Sequence, residues 1–329
     1  MPEEPRLRVL VTGADGFVGG HLIPRLLAAD HAVVGTRRAG APLPALAAEA
    51  DARVRWRELD LEQDASVEAL AAEPVDAVVH LAALASGREA RRAPGLAWSV
   101  NAAGTARLAE ALAAQPAAPL LLLVSSGEVY GAAAGVADGA ARRPFVETDP
   151  VEPPSPYAAS KLGAEIAARE VARRTGLRLV VARPFAHTGP GQTPLYAIPA
   201  FARRLAEARR SGARAVPTGD LSPVRDILDV RDVAAAYLAL LELGIGGGAG
   251  TGETFNVARG EGVTLADVFA RLARLVGVDA DPATDPALRR AGDISYLVGD
   301  ATKLRRATGW RPTYTLDETL KELVDAQAD

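Results

Sequence analysis

The sequence predicts an α/β chain: a doubly wound parallel sheet with a smaller C-terminal domain appended. Three observations carry the prediction. Short apolar runs recur at 7–11, 32–36, 77–80, 120–124 and 177–182, and unbroken apolarity is what a strand covered on both faces requires. Segments of helical periodicity separate them, at 17–29, from 64, 94–114 and 156–174; such alternation with short connections places helices on both faces of a parallel sheet. Beyond residue 183, polar loops, isolated strands and shorter helices (198–210, 230–243, 265–276) take over. The expected division is therefore 1–183 for the main domain and 184–329 for the smaller one, which makes excursions back to the first. The Gly-rich run 244–252 is a surface loop rather than a boundary.

Composition narrows the chemistry. At 329 residues and 49 % hydrophobic content the chain can bury a large core. A net charge of −4 shows no basic surplus, which argues against nucleic acid as a partner. There is no cysteine, so disulfides, thiolate nucleophiles and Cys-ligated metals are excluded. The four histidines, His21, His31, His80 and His187, have no metal-ligand spacing, and no metal is expected. Residues 1–8 lack an apolar signal core and no run is long enough to span a membrane. A soluble, cytoplasmic protein is the expectation.

The first strand, 7–11, leads directly into Thr12-Gly13-Ala14-Asp15-Gly16-Phe17-Val18-Gly19 and a helix from Phe17. Strand, Gly-rich turn, helix and second strand form the context of a dinucleotide site: glycines let backbone approach a pyrophosphate, and a helix N-terminus favours its charge. The spacing is GxxGxxG rather than GxGxxG. A carboxylate ending the second strand would select NAD by binding a ribose hydroxyl. This chain has Thr36-Arg37-Arg38 there, and guanidiniums pair with a phosphate, so the cofactor expected is NADP(H). A strand near 54–57, Asp60-Leu61, a helix from Asp64 and the strand 77–80 follow, ending at His80 and the small-residue stretch Leu81-Ala82-Ala83. At the end of a buried strand His80 reads as a packed, hydrogen-bonded residue.

The fully apolar strand 120–124 ends in Ser125-Ser126-Gly127-Glu128. A Ser hydroxyl there can donate to a developing oxyanion, and a carboxylate can act as a base or bind a sugar hydroxyl. Then comes Ser155-Pro156-Tyr157-Ala158-Ala159-Ser160-Lys161, where Pro156 opens a helix. Tyr157 and Lys161, four apart, project from one face. An ammonium beside a phenol favours the phenolate, so the pair is expected to bring Tyr157 toward neutrality as an acid–base group. The strand 177–182 ends at Arg183-Pro184-Phe185-Ala186-His187.

TGADGFVG, HLAA, SSGEVYG and SPYAASK, in this order, resemble the extended short-chain dehydrogenase/reductases that act on nucleotide sugars. The resemblance spans essentially the whole chain. It places Ser126, Tyr157 and Lys161 on the catalytic residues, Gly13, Gly16 and Gly19 on the cofactor turn, and Asp60-Leu61 on the segment contacting adenine. By the same resemblance Asp15, Phe17, Val18, Leu81, Ala82, Ala83, Pro184 and His187 belong to the cofactor site, and Glu128, Phe185, Arg225 and Arg290 to the substrate site. RPFAHTGPGQ, PVRDILDVRDVAAAY and LVGDATKLRRATGW look like the GDP-4-keto-6-deoxy-D-mannose reductases. That branch implies NADPH-dependent reduction of a GDP-bound 4-keto-6-deoxy sugar. A 4,6-dehydratase or a 4-epimerase that retains its cofactor is the alternative, with Glu128 as the dehydration base. A non-catalytic nucleotide sensor is a third reading, opposed by the intact Ser126, Tyr157 and Lys161. Three departures stand out: Ala186 replaces the usual Asn, residues 289–294 lack the form typical of the GDP-mannose branch, and Gly127 sits where dTDP-glucose dehydratases carry an acid. Related enzymes dimerise through the helices starting near Pro94 and Tyr157, so a homodimer is expected.

Overall fold

The computed structural model describes residues 6–41, 53–131, 142–288 and 293–326. Seven parallel strands form the central sheet. In chain order the strands are β1 (Arg8–Thr12), β2 (Ala32–Arg37), β3 (Val54–Glu58), β4 (Ala77–His80), β5 (Leu120–Val124) and β6 (Leu179–Pro184). The C-terminal half adds β7 (Ala186–Thr188), β8 (Ala215–Thr218), β9 (Val224–Asp229), β10 (Glu253–Val257), β11 (Gly262–Thr264), β12 (Asp281–Thr284) and β13 (Tyr296–Leu297). The sheet order is β10-β6-β5-β4-β1-β2-β3. Its order reverses at β1, and the crevice beside the strand C-termini there is where such sheets bind ligands.

β10 is one of the C-terminal strands and an excursion back to the main domain. It pairs in parallel with β6, Phe255 opposite Ala182, and so closes the edge of the main sheet from the C-terminal half of the chain. Helices Phe17–Ala28 and Val230–Ile245 cover one face, around Leu22, Ile23, Leu26, Val233, Tyr237 and Leu240. Helices Asp64–Ala71, Gly104–Ala113 and Pro156–Thr175 cover the other. A third core, including Phe201, Leu205, Phe269, Leu272 and Leu320, joins helices Ala197–Ser211, Leu265–Val276 and Leu316–Asp325. Beside it β9 pairs with β7, β11 and β13, so the second sheet begins directly where β6 ends.

The helix Pro156–Thr175 starts as its sequence dictates. The Ser155 hydroxyl accepts the Ala158 amide at 3.2 Å, Pro156 takes the position whose amide is spare, and Gly176 closes the helix at φ +82°. The segment read as one helix over 94–114 is interrupted: Pro94–Ala97 passes into a π-helical stretch, Trp98–Ala103, before Gly104–Ala113. Such bulges re-aim side chains, and this one carries Asn101 into the interior.

Candidate active site

The turn after β1 is shaped for close approach. Gly13 has φ +65°, and a Cβ there would lie 2.8 Å from the Ala82 backbone nitrogen. Its amide donates to Thr36 Oγ1 at 3.1 Å, and the Ala14 amide to the Thr36 carbonyl at 3.0 Å. A Cβ on Gly19 would meet the Ala14 carbonyl at 2.4 Å, so this glycine lets the helix close on the turn that precedes it. Gly16 is exposed, and Asp15, Phe17, Val18, Leu81, Ala82 and Ala83 are half-buried around the same turn. These are the features that a pyrophosphate at a helix N-terminus needs.

At the end of β2, Arg37 is half-buried and Arg38 exposed. Arg37 Nε is buried without a hydrogen-bond partner among the described residues, and a buried guanidinium donor left unpaired is the arrangement that a phosphate would satisfy. Asp60 is exposed, but Leu61 packs its side chain over Gly104 in the core. Pro184 is buried at the end of β6. The His187 ring stacks on Phe17 at 6.2 Å and its Nδ1 donates to the Phe185 carbonyl at 3.0 Å; burial keeps it neutral, below its usual value.

Ser126, Tyr157 and Lys161 converge beside this cradle. Ser126 follows β5 at the sheet's C-terminal edge, and its hydroxyl is hydrogen-bonded to Tyr157 while accepting the Glu128 amide at 3.1 Å. Lys161, 4 % exposed, lies one turn along from Tyr157. The expectation that Lys161 draws the phenol toward neutrality is corrected by the structure. Burial pushes Tyr157 above its ordinary value of 10.0, the Glu128 carboxylate pushes it further, and the Ser126 hydrogen bond only partly opposes them. Lys161 moves instead, from 10.5 to about 8, because burial disfavours its charge while Glu165 favours it. The physical reason is that desolvation of the phenolate outweighs the nearby charges. At neutral pH the chain by itself holds a phenol beside an ammonium.

A buried polar ladder supports this face. Thr105 Oγ1 donates to the Asn101 carbonyl at 2.6 Å, which leaves it to accept from His80 Nε2 at 3.1 Å. His80 Nδ1 then accepts from Thr12 Oγ1 at 2.7 Å, and Thr12 accepts the Ala82 amide at 3.1 Å. Burial drives His80 down to about 3, so it is a neutral, fully satisfied spacer, as read from its position. Asn101 Nδ2 donates to Ser160 Oγ at 2.9 Å, and Ser160 donates to the Tyr157 carbonyl at 2.8 Å. Helical periodicity alone gave no sign of this role for Asn101, because the π-helical stretch moves it off the expected face.

A cleft of about 120 Å³ opens next to these groups, lined by residues that include Ser86, Arg88, Glu128, Tyr196, Arg225 and Asp293. Arg225 donates to Asp293 Oδ1 and the Ile294 carbonyl, both at 2.6 Å. Arg290 lies outside the described residues. Phe185, expected at the substrate site, is 2 % exposed, with its ring against Gly127 and Gly299 behind the cleft. Sequence reading missed Arg88 and Tyr196, which sit in segments carrying no motif. No group of His, Asp or Glu side chains among the described residues could hold a metal ion, and no helix among them is long and apolar enough to cross a membrane.

The profile of the NAD dependent epimerase/dehydratase family matches residues 9–258. Over 318 residues the chain is 35 % identical to the GDP-6-deoxy-D-mannose reductase of Pseudomonas aeruginosa, covering 96 % of each chain. Two solved structures frame the cofactor. RMD from Pseudomonas aeruginosa complexed with NADPH superposes with a TM-score of 0.78 at 33 % identity, covering 97 % of this chain and 98 % of that one. The Thermus thermophilus UDP-glucose 4-epimerase complex with NAD gives a TM-score of 0.81 at 32 % identity, with the same coverage. The chain belongs to the NAD dependent epimerase/dehydratase family, whose members modify nucleotide sugars with a nicotinamide cofactor.

Proposed function

We propose that this chain is an NADPH-dependent reductase of a nucleotide-activated 4-keto-6-deoxy sugar, of the type that converts GDP-4-keto-6-deoxy-D-mannose to GDP-D-rhamnose. The reading rests on Tyr157, hydrogen-bonded to Ser126 and one helical turn from the buried Lys161, as the group able to give a proton to a sugar oxygen. A reductase needs such a proton donor at the carbonyl oxygen when the cofactor arrives reduced; in an epimerase or dehydratase the same group would first accept a proton. The similarity to the Pseudomonas aeruginosa reductase supports the same reading.

The Gly13–Gly19 turn would hold the pyrophosphate, Lys161 the nicotinamide ribose, and Arg37 with Arg38 the 2′-phosphate. When bound, the dinucleotide supplies the two electrons that reduce C4. Tyr157 gives its proton to the C4 oxygen as negative charge develops there, and Ser126 hydrogen-bonds the same oxygen. Lys161 stabilises the phenolate left behind. Arg225 and Arg88 line the cleft where the diphosphate would lie, and Glu128 faces the sugar. Exposed Trp98 (48 %) and Ile166 (62 %), on the stretches expected to pair, support a homodimer.

Two measurements test this. Purified protein given the GDP-4-keto-6-deoxy sugar should consume NADPH, and Tyr157→Phe should lower kcat by roughly 10²–10⁴-fold while leaving NADPH binding intact. Conversion of a nucleotide sugar without added NADPH, by protein that carries its own cofactor, would instead establish the epimerase or dehydratase alternative. Replacing Arg37 and Arg38 together by Ser should weaken NADPH binding about 10–100-fold and NADH binding little, since a charge-assisted hydrogen bond contributes about 1.5–3 kcal/mol. Equal loss for both cofactors would remove the phosphate-binding role.

A further inference from the structure

One turn beyond Lys161 on the same helix, Glu165 has no exposed surface. Side chains four apart share a helix face, so this carboxylate lies behind the reacting pair. A charge removed so completely from water needs strong partners, and Glu165 has them. Arg183 grips it with two donors, Nε at 2.9 Å and Nη2 at 2.8 Å. Arg169 Nη1 donates at 2.9 Å and Ser125 Oγ at 2.5 Å.

These partners tie together elements that carry the site. Ser125 immediately precedes Ser126, and Arg183 immediately precedes Pro184 at the end of β6. Arg169 reaches on to Thr254 Oγ1 in β10 at 2.5 Å. The Arg183 guanidinium lies 4.8 Å over the Tyr130 ring, whose hydroxyl donates to Asn256 at 2.7 Å. An apolar core would need none of this.

We propose that Glu165 is a positioning residue for the reaction: it anchors the strand end that presents Ser126 and holds the Lys161 ammonium charged beside Tyr157. The inference rests on the function proposed above. The groups acting around Lys161 are Glu165 on its own helix and the neutral His80 at the end of β4. Glu165 is the anion among them. Neutralising it removes the attraction and leaves Arg183 and Arg169 uncompensated behind the site, and both effects disfavour an ammonium at Lys161.

The chain has three lysines, Lys161, Lys303 and Lys321, so protein labelled with ¹³C-lysine gives three side-chain signals, and Lys161→Arg identifies one of them. In Glu165→Gln the Lys161 titration should move acidward by at least about one pH unit, the usual effect of an adjacent opposite charge, while Lys303 and Lys321 stay in place. Glu165→Asp should restore most of the wild-type value. The alkaline limb of kcat should move with Lys161, with KM nearly unchanged, which mere loosening of the fold would not produce. Should Glu165→Gln fail to fold, Glu165→Gln/Arg183→Met removes the orphaned guanidinium together with the carboxylate. Wild-type titration of Lys161 in these variants would overturn the proposal. A shifted Lys161 in a protein that turns over no nucleotide sugar would overturn the proposed function and leave the electrostatic link standing.

Discussion

Glu165 and Asp226 are both carboxylates without exposed surface, and the fold keeps them in opposite ways. Glu165 sits among cations: burial pushes its carboxyl up, but Arg183, Arg169 and the Ser125 hydroxyl together more than offset this and hold it below the usual range. Asp226, on β9 next to Arg225, accepts backbone amides only, from Arg259 and Gly260 at 2.8 Å and Gly299 at 3.3 Å. There burial wins and raises the carboxyl from 3.8 to about 6, despite those amides. Amide dipoles leave a buried carboxylate easier to protonate than usual, whereas full opposing charge holds it below its usual range. The difference is local rather than regional: three residues along β9, Asp229 is held by Arg231 at 2.8–2.9 Å and stays below its usual range, as Glu165 does.

The sharpest way to break the comparison is to remove the cation. Arg183→Leu leaves the Glu165 carboxylate buried with Arg169 and Ser125 alone, and should cost about 3–5 kcal/mol of stability, the range for orphaning one member of a buried pair. Asp226→Ala should cost less, about 1–3 kcal/mol near pH 7. It strands three backbone donors, but it also abolishes the burial of a charge. Urea midpoints of the two variants check the ranking. Equal costs would mean that the arginines contribute no more than amides do.

The same contrast explains what the sequence made legible. The glycine turn, the strand ends and the Ser155-Pro156 helix start are local: a few neighbouring residues with strong conformational preferences determine each, so Gly13, Ser126, Tyr157 and Lys161 were found in place. Long-range pairings were not. Nothing within residues 253–257 says that they form the edge of the main sheet, because that depends on β6 being present 70 or so residues earlier. Asn101 was lost to a π-helical stretch, which shifts the register that a 3.6-residue period assumes. Nothing local marks Glu165, since the arginine that grips it comes from a separate strand. The Tyr157 shift was misjudged for a related reason: spacing reveals which charges are neighbours but not how much water the fold removes.

Titration sharpens the comparison further, because the two carboxylates act on stability with opposite signs. Glu165 is depressed below its reference of 4.5, so its contribution is complete above that value and is lost as pH falls through the folded value. Asp226 is raised from 3.8 to about 6, so between those limits the folded chain binds more protons than the unfolded one, and stability falls as pH rises. A gap of about two units corresponds to roughly 3 kcal/mol, present in full as a penalty above pH 6. In Asp226→Asn the fixed amide cannot titrate, and one of its groups faces a backbone donor, so the variant carries a constant loss of about 1–2 kcal/mol. Subtracting its stability curve from that of wild type between pH 4 and 7 cancels the histidines and isolates Asp226. The difference should favour wild type most at pH 4 and shrink by about 2–3 kcal/mol by pH 6.5. A flat difference would mean that the three amides hold Asp226 at its ordinary value, and that backbone dipoles match what the arginines do for Glu165.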